Sequence, residues 1–482
     1  MDAGTPRTDP ALLEREVVSF AIDSRDVQAG DVFFALSQPD YKNNGFNGDF
    51  EDATKYVPSA LERGAAACIV RRDRFIEHQA GLGEYRDRLF FVDDTIAAFQ
   101  KLAHGVYLEW NKPVVAITGS AGKTTAKELT AHVLEAGGRK VLRNIKNYNN
   151  GLGHPITVLN LAKDSSYDIA VLEMGMSTPM NEIARLCRIT PPDVAVELNV
   201  LPVHVEHLGS IENVALAKAE LVEGMKEGGT AVLNADDPRV LAMRDLRPEK
   251  VITYGIENEA DVRATGIRFA RFGETAFTLN LPGESAEVMF PLNGKHNILN
   301  GLAAAAVGYS FGMNAREIAA SLHTAAPPPQ RGEVLHFKAG FTVINDSYNS
   351  NPAALLSMVS TLVDGGGAAR KIVVAGEMLE LGREAAAIHR ATGAAIAASG
   401  VEMLLGVRGL ANEMVEGARE SGIERAVFAE DSVKAGEFLA DEIKAGDLVL
   451  VKGSRGVRTE NVIEKLLEKF ELETGKALDA GS

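Results

Sequence analysis

Thr118-Gly119-Ser120-Ala121-Gly122-Lys123-Thr124-Thr125 is the stretch on which the fold of this chain turns. Before it runs Val114–Ile117, an apolar run of the kind that fills a buried strand. After it, Lys123–Ala136 carries helical spacing. Strand, glycine turn and helix in that order begin a βαβ unit. Gly119 and Gly122 let the backbone bend so that N–H groups of the Ser120–Ala121 turn and of Thr125 beyond it face phosphate oxygens. Lys123 offers a positive charge to β- and γ-phosphates, and the Thr124 hydroxyl suits Mg2+. The helix starting at Lys123 adds the positive end of its dipole. The common form of such a loop has four residues between its first glycine and Gly-Lys, whereas here two separate Gly119 from Gly122. The expectation is an ATP-binding phosphate loop of short spacing, with an ordinary glycine-rich turn as the alternative.

Outward from the loop the alternation continues. Ile169–Glu173, Val194–Asn199 and Ala231–Asn234 read as strands, each followed by a helix-like segment, which implies a parallel sheet. Between Val251 and Phe290 the pattern turns to short alternating strands, a β-rich flap. An Ala-rich helix after His296 and a helix at Ala315–His323 close the block. Pro327-Pro328-Pro329 reads as a stiff linker. Beyond it, Val343–Asp346, Ile372–Gly376, Met403–Val407, Ala426–Ala429 and Leu448–Val451 alternate with helices as a second open α/β sheet. Upstream, Val32–Leu36, Ala67–Val70 and Leu89–Val92 are strand-like, and Ile96–Trp110 is helix-like until Lys112-Pro113 breaks the pattern. The expected fold class is α/β in three domains: residues 1–111, 112–326 with the phosphate loop, and 327–482, a Rossmann-like domain.

Composition sets limits on function. The chain of 482 residues is 46% hydrophobic and 24% charged, as folded proteins are. A net charge of −16 disfavours nucleic acid or an anionic membrane surface as the main partner, yet leaves room for a local basic pocket. Met1–Pro10 lacks the apolar run of a signal peptide, and no run of about 18 apolar residues could span a membrane, so a cytoplasmic location is expected. Cys68 and Cys187 show no CxxC spacing and are expected as buried thiols.

Ligands of open α/β sheets lie beyond the carboxyl ends of the strands. There, Glu173 ends its strand before Met174-Gly175, His204 and Glu206 follow the strand ending near Asn199, and Lys218 lies in the helical stretch Ala215–Gly224. A glutamate and a neutral histidine near a phosphate loop suit Mg2+. Singly, each has a plainer reading as a solvated turn acid, a structural histidine or a surface lysine. Asn149-Asn150 and Gly151–Pro155 form a polar turn that either reaches a ligand or only turns the chain.

With these residues assembled, the chain resembles the Mur ligase family, which includes the folylpolyglutamate synthases. Thr118–Thr125 is similar to that family's short phosphate loop. The resemblance implies Thr124, Glu173 in Leu-Glu-Met-Gly, and His204 in Asn199–Ser210 as metal ligands. It implies that Lys218, in Ala-Lys-Ala-Glu, takes up CO2 as a carbamate and ligates a second Mg2+. Gly294–Asn300 resembles the family's adenine-binding motif, with Asn297 and Asn300 on one helix face. Arg331 would meet the γ-phosphate and Asp346 the ribose. Asn345–Pro352, Gly376–Gly382 and Val451–Arg455 resemble the branch that adds D-alanyl-D-alanine to UDP-N-acetylmuramoyl-tripeptide, although Glu377 stands where that branch has aspartate. Tyr348, Asn349, Asn351, Lys452, Ser454 and Arg455 are therefore expected at substrate, together with Asn149 and Asn150. Asp23-Ser24-Arg25 resembles part of a UDP-binding first domain, with Ser24 and Arg25 at the nucleotide, whereas Ser37–Asp52, with Tyr41, Asn44 and Phe46, departs from it as an expanded loop. The motifs are strong in the second and third domains and weaker in the first.

The activity so implied is ATP-dependent amide ligation through an acyl phosphate, by a monomer. Lys123, Glu173, His204, Lys218 and Arg331 would carry the catalysis, and ATP would draw the third domain onto the second. No side chain stands out as general base; His204 qualifies only if no metal holds it. The alternatives are other amide ligases of the family, adding diaminopimelate or lysine or acting on folate, and a phosphate-loop ATPase switch without ligase activity. Asp346–Pro352 separates the ligases.

Overall fold

A computed structural model describes residues 10–14, 16–46, 51–145, 147–176, 181–201, 209–246, 249–271, 274–364 and 370–473. The chain divides into two compact units, 1–123 with 134–254, and 124–133 with 255–482.

The first unit holds two sheets. β1 (Phe20–Ala21), β2 (Val32–Phe34), β3 (Ala67–Arg71) and β4 (Leu89–Val92) form a parallel sheet in that spatial order. The helix Thr95–Trp110 follows; Asp94 caps it by accepting from the N–H groups of Ile96 and Ala97, and it ends at Asn111, whose φ of 46° precedes Lys112-Pro113. Part of the stretch expected as an expanded loop, Ser37–Asp52, is ordered by its described residues 37–46, 51 and 52. Gln38–Asn43 is helical, and buried Asp40 anchors it by accepting from the Thr95 N–H at 2.7 Å and hydroxyl at 2.8 Å. Asp52 accepts from the Ser37 hydroxyl and the Gln38 N–H, both at 3.1 Å.

The second sheet of this unit is built from β5 (Val114–Thr118), β6 (Val141–Arg143), β7 (Ile169–Glu173), β8 (Val194–Glu197), β9 (Thr230–Asn234) and β10 (Val251–Gly255). Its parallel strands lie in the order β10-β9-β8-β5-β7-β6. β5, β7 and β8 are buried along their whole length, which is why their sequences are nearly continuous apolar runs. After β5 the chain crosses to the edge as β6, comes back between the two as β7, and then passes to the other side of β5 with β8. The reversal opens a crevice at the carboxyl ends of β5 and β8, where open α/β sheets bind ligands. On one face, Ala116, Ala195 and Leu233 pack in a core with Leu186, Val214 and Leu221 from the helices Glu182–Ile189 and Ile211–Glu223.

The second unit begins with an antiparallel meander, β11 (Val262–Arg271), β12 (Glu274–Leu281) and β13 (Glu284–Phe290), the flap expected from the sequence. The helices Lys295–Ser310 and Ala315–His323 follow, the latter closed at its start by a reciprocal Asn314/Glu317 capping box. A second α/β sheet consists of β14 (Glu333–His336), β15 (Thr342–Asp346), β16 (Arg370–Gly376), β17 (Met403–Val407), β18 (Arg425–Ala429) and β19 (Asp447–Lys452), in the order β14-β15-β19-β16-β17-β18. Only β14 runs antiparallel. Apolar clusters cover both faces of this sheet. Among the described residues no helix is long and apolar enough to cross a membrane.

Candidate active site

The phosphate loop leaves β5 and is clipped to the chain that continues β8. Gly119 lies so close to that chain that a Cβ would stand 2.7 Å from Leu198 Cβ. Gly122 has a φ of 85°, which glycine alone adopts freely. Asn199 makes most of the clip. Its carbonyl accepts from the Ser120 N–H at 2.9 Å, its Oδ1 from the Ala121 N–H at 2.9 Å, and its Nδ2 donates to the Ala121 carbonyl at 3.1 Å. The Ser120 Oγ accepts from the Leu201 N–H at 2.9 Å. Lys123 starts the helix Lys123–Ala136 and folds its Nζ back to the Gly119 carbonyl at 2.8 Å.

Glu173 ends β7 beside the loop and is buried. Asn149 Nδ2 donates to Glu173 Oε1 at 2.7 Å, and Asn144 bonds the Glu173 backbone in both directions at 3.0 Å. The Gly175 N–H donates to the Asn149 carbonyl at 2.8 Å, and Gly175 has no room for a Cβ beside the Asn149 carboxamide. The turn that the sequence offers as ligand-binding or plain thus does at least one definite thing: Asn149 steadies Glu173. Asn150 closes the turn that leads into the helix Gly153–Lys163, its Oδ1 accepting from the Leu152 and Gly153 N–H groups at 3.1 and 2.9 Å.

Behind the loop lies a buried polar pair. Thr118 and Glu197 are cross-strand neighbours at the ends of β5 and β8, and Glu197 shares the sheet face of Ala195. Glu197 is 0% exposed, and neither of its carboxylate oxygens, nor the Thr118 Oγ1, has a hydrogen-bond partner among the described residues. Burial raises the Glu197 carboxyl well above the usual range; the Lys218 charge opposes this and Asp237 adds to it. Lys218, on the helix Ile211–Glu223, is itself buried. Burial lowers its pKa first and the like charge of Lys123 second, while Glu197 and Glu220 pull it back up. Tyr254 donates its hydroxyl to the Glu197 carbonyl at 3.0 Å. Cys187 is buried nearby, its thiol pushed up to about 12 by burial and by Glu197; Cys68 is buried too, so both cysteines match expectation. Glu197 is not among the residues expected from the sequence. Its signal is an acid inside the apolar run Val194–Leu198.

His204 lies outside the described residues, as does Glu206. Among the described residues no three His, Cys, Asp or Glu side chains gather as a metal cluster. Ser24 is half-buried, and the Arg25 guanidinium grips Asp23, with Nη2 2.6 Å from Oδ2.

In the second unit, Asn297 and Asn300 are buried on the helix Lys295–Ser310, with Asn300 Nδ2 donating to Asn297 Oδ1 at 3.5 Å. Their expected shared face is observed. The Arg331 guanidinium lies 4.0 Å above the Tyr348 ring. Asp346 ends β15 opposite Lys452 of β19, and Lys452 Nζ donates to Asp346 Oδ2 at 2.6 Å and to the Asn349 carbonyl at 2.9 Å. Asn349 Oδ1 accepts from the Ser350 N–H, and Asn351 caps the helix Pro352–Asp364 through the Ala354 N–H. Ser454 Oγ donates to the Ser350 carbonyl at 3.3 Å and accepts from the Leu379 N–H at 3.0 Å, whereas Arg455 pairs with Glu460 at 2.6 Å. Three stretches far apart in sequence are therefore one loop cluster at the carboxyl edge of this sheet.

Residues 117–308 match the Mur ligase middle domain, and residues 330–455 match the Mur ligase, glutamate ligase domain. The UDP-N-acetylmuramoyl-tripeptide–D-alanyl-D-alanine ligase of Bacillus subtilis (strain 168) is 31% identical, over 95% of this chain and 95% of its own. The enzyme of the same name from Escherichia coli (strain K12) is 33% identical, over 92% and 93%. Among solved structures, the MurF ligase from Thermotoga maritima in complex with ADP superposes with a TM-score of 0.80 at 28% identity, over 96% of this chain and 99% of that one.

Proposed function

This chain belongs to the Mur ligase family, and from that premise we propose that it joins D-alanyl-D-alanine to UDP-N-acetylmuramoyl-tripeptide at the expense of ATP, a step of peptidoglycan precursor synthesis. The observation that carries the reading is the phosphate loop clipped by Asn199 at the sheet's crevice, beside Glu173 and Lys218. The choice of amine rests on Asn345–Pro352 and the Asp346–Lys452 pair that anchors it.

The loop from Gly119 to Thr125 and the Lys123 ammonium hold the phosphates of ATP; Asn199 takes the Ser120 and Ala121 N–H groups that the sequence offers to phosphate, so the backbone donors left are those from Gly122 onward, and Lys123 exchanges the Gly119 carbonyl for phosphate oxygen. Asn297 and Asn300 take adenine, Asp346 takes ribose, and Arg331 is held by Tyr348 for the γ-phosphate. The tripeptide carboxylate attacks the γ-phosphorus, the bond to ADP breaks, and an acyl phosphate forms. The dipeptide amine then attacks the acyl carbon, loses a proton, and phosphate leaves. Positioning and charge neutralisation do most of the work in the first step.

Hard carboxylate oxygens steadied by a carboxamide are the donors Mg2+ takes, so Glu173 fits one, with Thr124, His204 and a carbamylated Lys218 as the remaining protein ligands for two ions. Bound Mg2+ would offset negative charge on the transferring phosphoryl group. Carbamylation needs a neutral amine: the nitrogen bonds to CO2, one proton departs, and an anionic carbamate remains. Burial of Lys218 beside Lys123 favours that neutral amine. We assign residues 1–111 to the UDP substrate with Ser24 and Arg25, 112–326 to ATP, and 327–482 to closure over the amine with Tyr348, Asn349, Asn351, Lys452, Ser454 and Arg455. The turn that carries Asn149 and Asn150 is assigned to the tripeptide, with Asn149 acting there through Glu173, and the enzyme acts as a cytoplasmic monomer.

The test is phosphate release from ATP and Mg2+ with UDP-N-acetylmuramoyl-tripeptide, with and without D-alanyl-D-alanine. Release that requires both substrates is expected. Hydrolysis indifferent to the dipeptide would overturn the ligase reading, and release driven instead by diaminopimelate or lysine would overturn the choice of amine.

A further inference from the structure

The loops beyond β16, β17 and β19 share an unusual backbone. Glu380 (φ 63°), Arg408 (φ 68°) and Arg458 (φ 58°) all sit in the left-handed region that bulky residues avoid. Such conformations persist where the surroundings fix them, and they gather at functional sites. Here the loops fix one another. Arg408 Nη1 donates to the Gly456 carbonyl at 2.6 Å, a Cβ on Gly456 would stand 3.0 Å from Leu379 Cδ1, and the Leu379 N–H donates to Ser454 Oγ. Next to Arg408, Gly409 has no room for a Cβ against Glu377, whose Oε1 accepts from the Leu410 N–H at 3.0 Å. Both arginines are exposed at the carboxyl edge of the sheet, where a ligand would lie. Other arginines of this unit are spent on carboxylates: Arg455 on Glu460, Arg390 on Glu413 and Glu420, Arg370 on Asp447. Among the described residues Arg408 and Arg458 have no carboxylate partner.

An acidic protein that holds two arginines in costly backbone and gives neither a carboxylate is presenting guanidinium groups to an outside anion, and such forks match a carboxylate. We propose that Arg408 and Arg458 bind the terminal carboxylate of the dipeptide amine and so select a substrate with a free C-terminus. This rests on the ligase reading above, since the dipeptide is its amine substrate. Glu380 and Glu377, on the same loops, would repel a second anion and limit the site to one carboxylate.

Asparagine tolerates left-handed backbone, so Arg408→Asn and Arg458→Asn remove the fork without adding strain. Steady-state ligation should show the KM for D-alanyl-D-alanine raised about ten- to a hundredfold in each, with the KM for ATP unchanged as the control for folding. Wild type should reject the dipeptide's C-terminal amide, and the double variant should accept dipeptide and amide alike. Arg408→Lys should fall between, having charge without the fork. Variants that keep the wild-type KM for the dipeptide and still reject the amide would overturn the proposal while leaving the ligase reading intact. A wild-type enzyme that releases no phosphate on adding the dipeptide would defeat that reading itself.

Discussion

Replacing Glu197 with glutamine keeps the shape of the buried side chain and removes its titratable proton. Below pH 4.5 the wild-type carboxyl is protonated in folded and unfolded chains alike, so it contributes no pH dependence. Above pH 4.5 the unfolded chain releases that proton while the folded chain keeps it, because burial holds the folded pKa well above 4.5. The folded state then binds more protons than the unfolded one, and stability falls as pH rises towards the folded pKa. One such proton changes the unfolding constant about tenfold per pH unit, roughly 1–2 kcal/mol. The Glu197→Gln chain has no such proton to release on unfolding, so the variant should gain on wild type as pH rises. Lys218 supplies the opposing trend. Its folded pKa is lowered, and it would drop further without Glu197, so its effect enters towards neutral pH. Asp237, Tyr254 and Cys187 also face Glu197, but the last two titrate far above this range. The clean window is therefore about pH 4.5 to 6, where roughly 2 kcal/mol accumulates. For a unit of this size that corresponds to about 4–8 °C in Tm. Calorimetric melting of both proteins across that window measures the difference directly, and subtraction cancels every titration they share. Parallel Tm–pH curves would mean that Glu197 is hydrated or fully charged in the fold, and the buried pair would have to be abandoned.

Three further outcomes are expected. Asn199→Ala strips the Ala121 N–H and carbonyl of their partners, so ADP affinity should fall by about 1–3 kcal/mol, roughly five- to 150-fold; calorimetric titration showing unchanged affinity would remove Asn199 from loop organisation. Lys218→Ala should abolish ligation, with partial recovery in millimolar formate or acetate, and full activity without additive would sink the carbamate. Asp346→Asn leaves the Lys452 ammonium buried with neutral carbonyl acceptors and no counter-charge, so denaturant unfolding of the second unit should lose about 3–5 kcal/mol; a loss under about 1 kcal/mol would show the pair to be well solvated.

Most of the frame is legible because buried parallel strands advertise themselves. Leu89–Val92, Ile169–Glu173, Met403–Val407 and the helix Lys123–Ala136 have the bounds that apolar runs and helical spacing give them. Short or edge strands do not: Phe20–Ala21, Val141–Arg143 and Glu333–His336 are too brief or too mixed to carry a period. In the site, Lys123 and Glu173 can be named from chemistry at strand ends. Their supports cannot. That Asn199 clips the loop, that Asn149 steadies Glu173 and that Glu197 faces Lys218 depend on which strands neighbour which, and only the fold supplies that. Likewise Asp346 and Lys452 read as separate substrate residues in the sequence, and strand register makes them a pair.

The placement of β19 has a consequence for how the protein is made. β19 is the last of the described strands in chain order, yet it lies in the middle of its sheet, between β15 and β16. During synthesis, β14 to β18 leave the ribosome with a gap at their centre, and two strand edges wait unpaired for residues 447–452. A polypeptide cut short by premature termination there lacks Lys452 and the seam that joins the two halves of the sheet. Completion of the sheet therefore waits for residues 447–452, and a product cut short before them is left with the exposed edges that chaperones and proteases recognise.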